Sequence, residues 1–172
     1  MNSNQANNWR DRWQHEGIIT AIAFGGFLII VGMLFALTSD LWQNITSFFD
    51  HLTTRSFPFG NPGSTISFPA PADTAAHKAL YTALLEFDVA FGLLQVFILA
   101  LRIRVQSKIR RIAETLGNAV FWLGAAFLVS NILLLGSVRS WYEYWGALII
   151  LVGVSLIARA FVYFAKRRWQ FF

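Results

Sequence analysis

Three ionisable side chains, Glu86, Asp88 and Arg159, fall inside long runs of apolar residues. A charged group at the centre of a bilayer costs about 3 kcal/mol on insertion scales, so such residues are functional candidates by default. Two carboxylates and a guanidinium in these surroundings can form a path for a proton or a cation, or a buried polar set that fixes helix packing. Polar neighbours extend the set. At about 100° per residue, Tyr81, Asp88, Gln95 and Arg102 recur every seven residues and drift only about 20° per step, so one helix face is polar along its length. Glu86 lies about 200° from Asp88, on a second stripe with Ala75, Ala79, Ala83 and Ala90, small residues that let another backbone come close. Counting about 1.5 Å per residue, Asn131 matches Glu86 and Asp88 in depth. Arg159 lies deeper, and either reaches Asp88 at full extension or snorkels toward Lys166.

Other chemistry finds less support. The chain has no cysteine, which removes disulfides, thiolate nucleophiles and sulfur-ligated metals. Asp50, His51, Asp73 and His77 form a weak alternative metal site for zinc or copper, although a helix cap at Asp73 and an interfacial His77 explain the same residues. The sequence contains no glycine-rich phosphate loop, HExxH or GxSxG. No catalytic residue and no cofactor are therefore expected, and an enzymatic role is expected only within a larger complex.

The elements that position these residues follow from composition. Of 172 residues, 56% are apolar and 13% charged, with a mean hydropathy of +0.51, where soluble domains carry about 25% charge. A spanning helix needs about 20 mostly apolar residues. Four segments qualify: 17–37, 79–101, 118–136 and 145–165. The expectation is one all-α integral membrane domain, a four-transmembrane-helix bundle with the second span at its centre. Arg10, Arg12, Arg102, Arg104, Lys108, Arg110, Arg111, Lys166, Arg167 and Arg168 flank one side, against Arg55, Lys78 and Arg139 on the other. Ten bases against three predict cytoplasmic termini (1–16 and 166–172), a basic cytoplasmic loop (102–117), a short outer turn (137–144), and residence in the plasma membrane. The pI of about 10.1 then reports orientation, and nucleic acid is not an expected partner. Segment 17–37 reads as a retained helix, being longer than the apolar part of a signal peptide.

The outer loop, 38–78, is long enough for structure of its own. Residues 40–52 carry an amphipathic pattern that predicts an interfacial helix capped by Ser39 or Asp40. Alternating runs around Gly60-Asn61-Pro62-Gly63 predict a small hairpin or irregular lid, and Asp73 is placed to cap the second span. Trp9 and Trp13, with the cluster Trp141, Tyr142, Tyr144 and Trp145, read as interface anchors. Asn44-Ile45-Thr46 is a glycosylation sequon. Arg102, Arg104, Lys108, Arg110 and Arg111 are candidates for anionic lipid headgroups as well as topology determinants. Glycines seven apart (Gly25 and Gly32, Gly117 and Gly124, Gly146 and Gly153) favour close helix contacts. The lipid bilayer and other membrane-protein subunits, or a second copy, are the expected partners. The leading functional expectation is an accessory, assembly or structural subunit of a larger membrane complex. The alternative is a small channel or proton- or cation-coupled carrier using Glu86, Asp88 and Arg159.

Overall fold

The computed structural model describes residues 3–58, 60, 61, 63–135 and 138–169, with side chains given between residues 16 and 165 except at 57–59, 62, 66 and 136–138. The side chains of Trp9, Trp13, Lys166, Arg167 and Arg168 lie outside that description. Five helices, α1 (Ser3–Leu37), α2 (Leu41–Asp50), α3 (Lys78–Arg104), α4 (Ile109–Asn131) and α5 (Val138–Trp169), account for most of the chain. Two strands, β1 (Leu52–Pro58) and β2 (Thr65–Pro71), lie between α2 and α3. Four helical stretches, Glu16–Leu37, Ala75–Arg104, Ile109–Leu135 and Arg139–Ala165, are long and apolar enough to cross a membrane. The shortest has 22 residues and measures about 33 Å at the usual helical rise, against about 30 Å of hydrocarbon.

All four expected spans are helical, but their ends differ. α4 begins at Ile109, nine residues before the apolar run at Asn118. Residues 109–117 contain no glycine or proline before Gly117, so nothing local stops the helix, and the expected 16-residue basic loop shrinks to a tight turn. At the other end α5 already begins at Val138, which puts Trp141, Tyr142, Tyr144 and Trp145 on its first turns.

Among the described residues the four long helices pack in a row, α1 on α3, α3 on α4 and α4 on α5, with no packed α1–α5 contact of comparable extent. Phe87 and Phe91 of α3 touch both Phe27 of α1 and Trp122 of α4. Only 6% of the apolar stretch of α1, and 6% of that of α5, is buried. The glycine pairs show why. A Cβ added at Gly92 would meet Leu123 Cδ2 at 2.6 Å, and one at Gly26 would meet Leu94 Cδ1 at 2.8 Å. Gly117 and Gly124 likewise receive Arg159 and Leu151 of α5. Gly25, Gly32, Gly146 and Gly153 face open space, so of the three seven-residue pairs only the one on α4 serves packing within the chain. An aromatic cluster crosses three helices: Phe27 of α1 meets Phe91 of α3 edge-on at 5.7 Å, and Phe91 meets Trp122 of α4 edge-on at 4.9 Å. Edge-to-face geometry aims ring hydrogens at a neighbour's π face and adds to the area buried.

A helix and a hairpin are both present where the interfacial helix and the hairpin are expected, the helix as Leu41–Asp50 instead of 40–52. Asp40 precedes α2 with φ 55° and makes no side-chain cap, contrary to the expected Ser39 or Asp40 cap; in this left-handed conformation its carbonyl accepts from Asn44 N at 2.9 Å. β1 and β2 pair antiparallel, Leu52 opposite Pro71 and Pro58 opposite Thr65. Pro58, Pro69 and Pro71 all belong to the alternate set of pairs that includes these two. The other set continues to the bonded pair His51 and Ala72, where Ala72 N donates to His51 O at 3.0 Å. The prolines therefore occupy the non-hydrogen-bonded pairs, where a missing N–H costs the ladder nothing. The hairpin sits on the start of α5: Trp141 Nε1 donates to Pro69 O at 3.1 Å and Tyr142 Oη to Arg55 O at 3.3 Å. Phe48 of α2 completes this end, edge-on to His77 at 5.2 Å and to Tyr81 at 6.4 Å.

Candidate functional site

The polar stripe of α3 is turned into the α3–α4 contact. Gly92, one turn from Asp88, lies against Leu123 of α4, and Tyr81 forms a buried cluster with Val129, Leu133 and Tyr144. Asp88 is 2% exposed, and its Oδ2 has no hydrogen-bond partner. The Tyr81 hydroxyl is also buried without a partner, and Tyr144, itself buried, is within electrostatic reach of the Asp88 carboxyl. Gln95, half-buried, continues the stripe toward Arg102.

The remaining intramembrane candidates do not join Asp88. Glu86 is exposed on the opposite face of α3, so the second stripe, expected to be covered by protein, is open at Ala75, Ala79 and Glu86, while Ala83 is buried and Ala90 half-buried. Asn131 is exposed and donates to Phe127 O of its own helix at 2.8 Å, so it does not meet Glu86 or Asp88. Arg159 does not pair with Asp88: its Nη2 donates to Asn118 Oδ1 at 2.8 Å. Axial position explains this. Asp88 is 16 residues from the end of α3 and Asn118 nine from the start of α4, about 24 and 14 Å from the same end of the row. Arg159 meets the nearer acceptor, with its stem laid over Gly117.

A second polar group gathers where α3 turns into α4. Arg102 Nη1 donates to Arg111 O at 2.8 Å and to Thr115 Oγ1. Thr115 Oγ1 in turn donates to Arg111 O at 2.7 Å. Arg111 forms an ion pair with Glu16 of α1 at 2.7 Å, and Arg110 one with Glu114 at 2.9 Å. Arg102, Lys108, Arg110, Arg111 and Glu114 line a pocket of about 420 Å³. Arg104 is exposed and is not part of the lining. Glu16, Thr115 and Asn118 carry these contacts and were not among the expected residues. A signal for them existed: each is a polar group where a basic flank meets an apolar run.

The expected metal residues divide. The rings of His51 and His77 lie 5.9 Å apart. Asp73 is engaged with the backbone, its Oδ1 accepting from Ala75 N at 2.9 Å as the expected cap, while Asp50 is exposed. His51 Nδ1 is 2.7 Å from Ser47 O. Among the described residues no group of three or more His, Asp or Glu is arranged to hold a metal ion. The chain matches no protein-family profile, and no curated protein or solved structure shows significant similarity to it.

Proposed function

We propose that this chain is a non-catalytic accessory or assembly subunit of a larger membrane complex, with lipid and other membrane-protein subunits, or a second copy, as its partners. The observation that carries the reading is Glu86. It lies about 12 Å along α3, whose 27 residues measure about 40 Å, on a face where Ala79, Thr82, Val89 and Leu93 are also exposed. With α3 centred in a bilayer of about 30 Å of hydrocarbon, Glu86 falls about 7 Å below the boundary, and an uncovered carboxylate there costs up to about 3 kcal/mol, the bilayer-centre value on insertion scales. A partner helix over this face removes that cost, and the open faces of α1 and α5 leave further room for neighbours. In this reading the membrane is the plasma membrane, the α3–α4 turn and both termini are cytoplasmic, which the distribution of Lys and Arg supports, and the hairpin is outside.

The alternative, a proton or cation carrier, draws on the unpartnered Oδ2 of Asp88. The separation of Glu86, Asp88 and Arg159 onto different faces and depths weighs against it. Extraction from native membranes in a mild detergent, followed by native mass spectrometry, tests the proposal. The expected result is a complex that Glu86→Leu alters in composition or affinity. A monomer with no associated protein, whether or not Glu86 is substituted, refutes it. Proton flux in liposomes that is abolished by Asp88→Asn would support the carrier instead.

A further inference from the structure

The pocket at the α3–α4 turn has the chemistry of an anion site. Its four cations are not all neutralised: Arg110 and Arg111 each have a carboxylate, whereas Arg102 and Lys108 form no ion pair among the described residues. Arg102 is held in place by the Arg111 carbonyl and the Thr115 hydroxyl, which leaves its buried Nε without an acceptor. The Ser107 hydroxyl in the same turn is likewise buried without a partner.

The helix beneath adds to this. The N-cap of α4, Lys108, makes no side-chain cap, and the first turn has no acidic residue. The positive end of a 23-residue helix therefore has no acid in its own first turn, the nearby carboxylates being Glu16, paired with Arg111, and Glu114, paired with Arg110, and it lies at the same place, the arrangement that favours anions at helix N-termini. The turn itself is tight, with Gln106 at φ 51° and Ser107 N donating to Arg102 O at 2.9 Å, which fixes Lys108 beside Arg102. A volume of about 420 Å³ lies toward the small end of ligand pockets, larger than a bare ion needs and suited to a phosphorylated head.

We infer that this pocket binds a phosphoryl group, through Lys108, Arg102 and the first turn of α4. The pocket opens at the end of two helices that are long enough to span a bilayer, the level of lipid headgroups, so the phosphoryl group comes either from an anionic lipid or from a free phosphate.

The full-length chain in nanodiscs of phosphatidylcholine, with and without added phosphatidic acid, provides the test, bound lipid being counted by native mass spectrometry. Lys108→Gln removes an exposed, unpaired cation and leaves the fold intact; it is expected to weaken phosphatidic acid binding about fivefold to tenfold, the value of one charge-assisted contact. Arg104→Gln removes the same charge from the same end of the row but outside the pocket, and is expected to change binding by less than about twofold, as a screened surface charge does. Inorganic phosphate added as a competitor identifies the source. Displacement of the lipid shows that the phosphoryl group alone is recognised, and retention assigns the site to the lipid. Equal losses in both variants, or no loss in either, overturn the inference, because the first means general electrostatic attraction and the second no site at all.

Discussion

The contact between Arg159 and Asn118 allows a quantitative test of how α4 and α5 are joined. In soluble proteins a hydrogen bond to a charged group contributes about 1.5–3 kcal/mol. Between transmembrane helices double-mutant cycles average about 0.6 kcal/mol and reach about 1.7. The 2.8 Å contact is at the strong end geometrically, but Arg159 is only half-buried, so a coupling of about 1–1.5 kcal/mol is expected. Reversible unfolding in mixed micelles, followed by circular dichroism, would be measured for the wild type, Asn118→Leu, Arg159→Leu and the double variant. Asn118→Leu leaves the guanidinium without its acceptor and should be the costlier single change. The double variant should be more stable than the sum of the two losses by the coupling energy. A coupling within about 0.5 kcal/mol of zero, the usual limit of additivity, would refute the reasoning. A parallel cycle of Arg159→Leu with Asp88→Val should be additive, since the two groups are offset by about 10 Å along the row; a coupling above about 1 kcal/mol there would restore the Arg159 to Asp88 pairing.

Further substitutions address the rest of the chain. Gly92→Leu should destabilise the isolated chain by about 1–3 kcal/mol through overpacking against Leu123, whereas Gly25→Leu, facing open space, should leave it within about 0.5 kcal/mol of the wild type; thermal melts in detergent distinguish the two. Asp88→Val removes a buried oxygen that has no partner and should raise stability by about 1–2 kcal/mol; a loss of similar size would mean that the carboxyl is bonded in the folded state. The Asn44 sequon lies inside α2, with Asn44 Nδ2 donating to Ser39 O at 3.4 Å and the Thr46 hydroxyl bonded to Trp42 O and Gln43 O. Expression in a glycosylating host should therefore give no mass shift on endoglycosidase treatment, and a shift would show that α2 opens before the segment packs.

The spans, the amphipathic helix, the hairpin and the Asp73 cap were legible because each depends on local information: the length of an apolar run, a period, or the chemistry of a turn. So was the stripe from Tyr81 to Arg102, since residues seven apart share a face whatever the neighbours are. The partner of Arg159 was not. It depends on the axial register of α4, which starts at Ile109 instead of Asn118 and is held by Arg102 on Arg111 and Thr115, long-range facts that hydropathy does not contain. The same limit applies to the glycines. Gly25 and Gly117 look alike in sequence, yet only Gly117 has a side chain laid on it, because α1 and α5 stand at the ends of the row. The angle between Glu86 and Asp88 could be computed, but not which of the two faces has a neighbour.

The open row turns that last point into a constraint on function. A closed bundle of four helices can bury its polar groups among its own members, and polar residues then need no outside explanation. In a row, each inner helix keeps a face with no neighbour in the chain, and on the proposed reading a polar residue on that face is matched by something beyond the chain. Asp88 lies on the covered side and Glu86 on the uncovered one. Their different surroundings, two residues apart, separate the two proposed readings: Asp88 is the residue that the carrier reading needs, and Glu86 the one that the subunit reading needs. Because α3 holds α1 through Gly26 and Phe27, and α4 through Gly92 and Trp122, a partner docked at Glu86 touches the helix that organises the whole row. Such a contact would be felt on both sides at once, which is the property expected of a subunit whose own fold is completed by assembly.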